Sequence, residues 1–234
     1  MKKTETKGMK VEVGVTRLYV PHEESEITFI HPPKGPDTYF AVREQLLESE
    51  LNAPIMSQNA SLVYAAWQNP KERYSREIID TLKNRLLWSY NGILYVPKEG
   101  AYIKAHPEVK NDKIVMNKSD LVKKLEENDS SVKFVSFGFK IGELTARELA
   151  KNKFIRGLAG EEGAEKLAEV STNYKHHPFL FSFDKLDEEL IRVAALYSYW
   201  SDDRLNVVGG SRGDHTDGYV LGVSALGEAH EQKI

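Results

Sequence analysis

The spacing of apolar residues changes along this chain, and the changes mark its elements. "KVEVGVTRLYV" places Val11, Val13 and Val15 at every second position, and "SEITFI" repeats the alternation until "HPPKGPD" stops it. A period of two belongs to a strand with one buried face, so this region predicts a strand pair. Residues 1–10 ahead of it are mostly polar and read as a disordered tail. "TYFAVREQLLESE" then reads as a short helix, and Ser57 is a suitable N-cap for a second one over "QNASLVYAAWQ". In "KERYSREIIDTLKNRLLWSYNG" the residues Tyr74, Ile78, Leu82, Leu86 and Tyr90 recur every fourth position. That stripe predicts one helix over 71–90, with Leu86 and Trp88 at its buried side and Asn91-Gly92 as its stop.

Beyond it, "GILYVPKEGAYIKAHPEV" predicts two strands around the "PKEG" turn, with "KIVMN" as a third. "SDLVKKLEEND" reads as an amphipathic helix. "VKFVSFGFKIG" carries apolar residues on both faces, the pattern of a central strand. Thr145 to Glu148, "TARE", fits a capping box, and "GEEGAEKLAEVSTNY" opens a further helix with Glu161 and Glu162 at its positive end. The last sixty residues read as strands and loops. The fold class expected is α+β: a helix-rich middle, small antiparallel sheets and a C-terminal strand and loop region. Residues 11–234 are assigned to one domain, with a compositional seam near Pro178.

Composition narrows the chemistry. The 234 residues hold no cysteine, which excludes disulfides, thiolate metal sites and cysteine nucleophiles. A formal net charge of -3 provides no global basic field for nucleic acid or anionic lipid. No window has the ~20 apolar residues of a membrane span and no signal-peptide pattern opens the chain, so no membrane partner and a cytoplasmic location are expected. The outer face of the 71–90 segment carries Lys71, Arg73, Arg76, Lys83 and Arg85 near Trp67 and Trp88, diluted by Glu72, Glu77 and Asp80. Mixed charge of this kind reads as a solvated face laced with ion pairs, which makes nucleic acid an unlikely partner and the lesser alternative.

The signatures of nucleotide loops, zincins, nucleophile elbows and EF-hands are missing from the sequence. His176 and His177 in "KHHP" are adjacent, so in an extended stretch they point apart and read as surface loop. Arg156 with Glu161 and Glu162 reads as helix-end charge. Candidate chemistry concentrates in "YWSDDRLN" and "VVGGSRGDHTDGYVLGV": Trp200, Asp202, Asp203, Arg212, Asp214, His215, Asp217 and Tyr219. The carboxylates are hard oxygen donors, Arg212 is an anion hook and His215 titrates. Their spacing fits no fixed metal loop. Gly209, Gly210, Gly213 and Gly218 are read as turn glycines, giving an exposed loop over 209–218 between two strands.

The run "RVAALYSYWSDDRLNVVGGSRGDHTDGYVLGV" resembles the closing segment of C-type-lectin-like folds of the formylglycine-generating-enzyme type. Gly209-Gly210-Ser211 matches that family's turn and Gly222-Val223 its last strand. Ser224 stands where the family has arginine, and the catalytic cysteines of its enzymatic branch have no counterpart here. The whole chain is similar to uncharacterised archaeal proteins that share runs like "ASLVYAAWQNP", "FGFKIGELT" and "GEEGAEKLAE". The lectin resemblance implies a scaffold used for binding through exposed loops. A non-enzymatic protein that recognises a protein or glycan through its C-terminal loops is therefore the expected function, with Tyr197, Tyr199, Trp200 and Tyr219 supplying contact area and the charged loop residues orientation. The alternative is a metal-assisted hydrolase built on the Asp/His set at 202–217. Neither cofactor nor oligomeric state follows from the sequence.

Overall fold

The computed structural model describes residues 4–6, 9–12, 16–199 and 201–224. In chain order its elements are β1 (Thr4–Thr6), β2 (Met9–Glu12), β3 (Arg17–His22), β4 (Ser25–Ile30), β5 (Lys34–Asp37), α1 (Tyr39–Glu48), β6 (Leu51–Asn52), α2 (Met56–Gln68) and α3 (Arg73–Asn84). There follow β7 (Leu86–Val96), β8 (Gly100–Ala105), β9 (Glu108–Lys110), β10 (Lys113–Val115), α4 (Lys118–Glu126), β11 (Val132–Ser136), β12 (Gly142–Glu143), α5 (Ala146–Lys151) and α6 (Lys153–Ser171). The chain closes with β13 (Phe179–Phe181), β14 (Leu190–Tyr197), β15 (Asn206–Ser211), β16 (Gly218–Val220) and β17 (Val223–Ser224). The fold is α+β. No helix among the described residues is long and apolar enough to cross a membrane.

A nine-stranded sheet organises the molecule in the order β11-β8-β7-β14-β15-β13-β12, with β16 joining β7 to β5. Every residue of β7 is buried, because both faces of the sheet are covered. On one face Leu87, Ile93, Tyr95, Ala194, Leu196 and Val207 belong to the main core with α2, α3, α5 and α6. On the other, Leu86, Trp88, Tyr90, Val193 and Val208 meet Tyr39, Val42 and Leu46 of α1. Leu121 of α4 joins Leu94, Val96, Tyr102 and Val132 in a third cluster. A six-stranded sheet, β1-β2-β3-β4-β17-β6, contributes Leu18, Val20, Ile27 and Phe29 to the main core.

Five sequence expectations change here. The predicted 71–90 helix ends at Asn84, Arg85 is extended (φ -146, ψ 167), and Leu86 begins a strand. A four-residue apolar period serves both elements, since it holds one helix face and is also twice the strand period. Asn91-Gly92 does not end the segment. It marks a β-bulge, where Val193 faces Gly92 while Ala194 faces Ser89. A Cβ on Gly92 would fall 2.8 Å from the Met116 sulfur, so tertiary packing requires glycine there.

Ser57 lies inside α2, whose N-cap position is Ile55. Among the described residues β11 pairs only with β8, which makes it an edge strand despite its apolar residues on both faces. At the N-terminal end, Thr4–Thr6 and Met9–Glu12 pair antiparallel where the pattern suggested a tail. By contrast, Thr145 and Glu148 form the expected capping box, and Gly160 (φ 76) interrupts α6 immediately before Glu161.

Candidate functional site

The segment "PFLFSF" sets Phe179, Phe181 and Phe183 at alternate positions. As β13 it runs parallel to β15, with Leu180 turned into the main core and 1% exposed. The neighbouring Phe179 and Phe181 therefore take the opposite side. Beside them, β14 ends in Tyr197, and Tyr199 follows two residues later. The rings form a row: Phe179 to Phe181 at 4.4 Å, Phe181 to Tyr197 at 6.1 Å, and Tyr197 to Tyr199 at 4.6 Å between centroids. This row borders an open cleft of about 510 Å³, completed by Ile141, Phe183, Val208, Ser211 and His215. Phe181 is 41% exposed, unusual for so large an apolar side chain.

The cleft also carries polar groups, Ser182, Ser211 and His215 among them. The Tyr199 hydroxyl donates to Asp217 Oδ2 at 2.9 Å, which ties the row to the 212–217 loop. Burial pushes the Tyr197 phenol up to about 12, with a smaller contribution from the Asp202 charge. Tyr199 is raised further, chiefly by burial and then by its bond to the Asp217 carboxylate. Both phenols are therefore protonated at neutral pH, and the Tyr199 hydroxyl is the donor in its bond to Asp217. Arg204 stands over the Phe179 ring at 6.0 Å and pairs with Glu143 at 3.2 Å, fixing one wall.

The structure disperses the residues expected from sequence. His215 lines the cleft and Asp217 anchors Tyr199. Asp202 and Asp203 belong to the turn after Tyr199, where their backbone N–H groups donate to the Tyr199 carbonyl at 2.9 and 3.1 Å. Arg212 and Asp214 are exposed, with Arg212 lining a separate pocket. Tyr219 lies on another cavity, of about 380 Å³, with His31, Glu77 and Arg85, where His31 Nε2 meets Glu77 Oε2 at 2.6 Å. Trp200 lies outside the described residues. Among the described residues no three His, Asp or Glu side chains gather as a metal set.

The exposed loop is shorter than the sequence suggested. Gly209, Gly210 and Ser211, read as a turn on resemblance, lie inside β15, and of the four glycines only Gly213 has positive φ, at 84°. The glycines at 209 and 210 answer to close packing: a Cβ at 209 would meet Phe154 at 2.5 Å, and one at 210 would meet Phe183 at 3.2 Å. Sequence reasoning missed the three phenylalanines, although their period-two spacing in "PFLFSF" was the available signal. Of the residues read as a basic helix face, Trp88 is fully buried in β7 and Arg73 in α3 pairs with Glu77 at 3.0 Å. Comparison with family models, with curated proteins and with solved structures found no match to this chain.

Proposed function

We propose that this protein is a binding protein and that the aromatic cleft between β13 and the ends of β14 and β15 is its recognition site, with a glycan as ligand. The observation that carries this reading is the four-ring row bordering an open cleft with Phe181 41% exposed. Water-exposed aromatic area is unfavourable unless covered, and ligand sites are typically ~300–1,000 Å³ apolar clefts with a few fixed polar groups. A sugar ring offers both matching parts: a face of C–H groups for the rings, and hydroxyls for Ser182, Ser211 and His215 in the lining.

The test is a panel of neutral oligosaccharides titrated against the wild-type protein and against Phe181→Ala and Tyr197→Ala. Truncating an aromatic anchor of a binding site typically costs ~2 kcal/mol or more, so affinity should fall more than about tenfold. The half-exposed Phe181 should change folding stability little. If no oligosaccharide binds, or if Phe181→Ala binds as tightly as wild type, the proposal is wrong.

A further inference from the structure

We infer that the pocket formed by β10, β14 and the 212–217 loop is an oxyanion site, built to take a carboxylate or phosphate group. The pocket has a volume of about 240 Å³ and is lined by Lys113, Arg192 and Arg212, with Asp112 as its one acidic residue and Phe40 and Val193 among its apolar walls. It is smaller than the ~300–1,000 Å³ of a drug-sized site, which suits a small charged group.

The two arginines differ from four others in the fold. Arg43, Arg73, Arg156 and Arg204 each meet a glutamate at 2.9–3.2 Å. Among the described residues neither Arg192 nor Arg212 forms an ion pair. The hydrogen bond Arg192 makes goes to the Ile191 carbonyl at 2.8 Å, and its guanidinium stands 5.9 Å over the Phe183 ring. Burial and the neighbouring Arg212 charge both lower the pKa of Arg192, and the field of Asp214 opposes them only as a lesser effect. Two like charges beside an apolar wall are unfavourable by themselves, and an anion between them removes the repulsion. A guanidinium offers the planar fork that matches the two oxygens of a carboxylate or phosphate, and the apolar walls strengthen the attraction.

A rival cationic pocket of about 360 Å³ contains Lys140, Arg147, Lys151 and Lys153 near the start of α6. There Lys140 is already paired with Glu148 at 2.8 Å, and Asn152 Oδ1 accepts the Phe154 and Ile155 N–H groups of the helix end. That pocket serves as the control.

The experiment titrates inorganic phosphate and, separately, acetate against chloride at matched ionic strength, read by calorimetry and by thermal melting. Wild type should show saturable binding of at least one oxyanion; which of the two binds identifies the group the site takes. A charge-assisted hydrogen bond is worth ~1.5–3 kcal/mol, so Arg192→Gln and Arg212→Gln should each weaken binding about tenfold or more. Lys151→Gln should bind as wild type does. Arg212 is exposed, so Arg212→Gln decides the matter if Arg192→Gln fails to fold. Absence of saturable binding beyond chloride, wild-type affinity in Arg212→Gln, or loss of binding in Lys151→Gln overturns the inference. Phe181→Ala should leave oxyanion affinity unchanged, so this site and the aromatic cleft stand or fall separately.

Discussion

Leu86 is 4% exposed and shares its buried cluster with Trp88, Tyr90 and Val220, so truncation leaves a cavity that the surrounding side chains fill only in part. Leu86→Ala should lower stability by ~2–5 kcal/mol, measured by urea unfolding; an unchanged midpoint would contradict the packing of β7. A second residue carries a pH dependence. His22 Nδ1 lies 2.9 Å from Ser61 Oγ, which also accepts from Lys166 Nζ at 2.9 Å. Burial holds the His22 pKa below its ordinary 6.5, the Lys166 charge acts in the same direction, and Glu23 and Glu162 oppose them. Below pH 6.5 the unfolded chain therefore binds a proton at this position more readily than the folded chain. The stability contributed by neutral His22 is present above pH 6.5 and is lost as pH falls through the folded-state pKa. Urea midpoints between pH 7.5 and 5 should fall more steeply for wild type than for His22→Gln. Parallel curves would show that His22 does not carry this dependence.

At the scale of elements, the start of α2 shows how distant residues replace a local signal. Ile55 has no side-chain acceptor to offer. Its own N–H donates to Gln58 Oε1 at 2.9 Å, and the Met56 N–H donates to Asn91 Oδ1 at 2.8 Å. Asn91 reaches α2 from the β7 bulge, where Tyr90 N–H also donates to the Pro54 carbonyl at 2.8 Å. The bulge and the helix end thus stabilise one another. Asn91→Ala removes a buried acceptor and should lower stability by ~1–2 kcal/mol, with faster amide exchange concentrated in the first turn of α2. Uniformly faster exchange throughout the chain would instead indicate a general loss of packing.

At the scale of the molecule, the large sheet separates the main core from the α1 cluster, and its strands must lie close enough to α6 to exclude water. Gly209 marks that approach. The Tyr95 hydroxyl donates to its carbonyl at 2.9 Å, and an added Cβ would fall 2.5 Å from Phe154, a fully buried ring stacked on Phe139 at 4.9 Å. Overpacking of this kind typically costs ~1–3 kcal/mol, so Gly209→Ala should lower the melting temperature and alter the near-ultraviolet signal of the aromatic core. A variant as stable as wild type would mean that β15 and α6 do not meet as described.

The sequence by itself determined what depends on near neighbours. Local periodicity and capping chemistry marked α1, α4, the Thr145–Glu148 box, the helix start after Gly160 and the β7–β8 hairpin, and these features appear in the structure. Tertiary structure decided the rest, because the deciding groups are far apart in the chain. The apolar stripe from Tyr74 to Tyr90 suits helix and strand alike until β14 and β16 pair with its second half. Glycines that read as turns at 209 and 210 are set by Phe154 and Phe183. The candidate site was legible in part, through Tyr197, Tyr199, His215 and Asp217. Its floor joins Phe179 and Phe181 to Tyr197, residues brought together because β13 and β14 flank the same strand, β15, and no spacing along the chain encodes that adjacency.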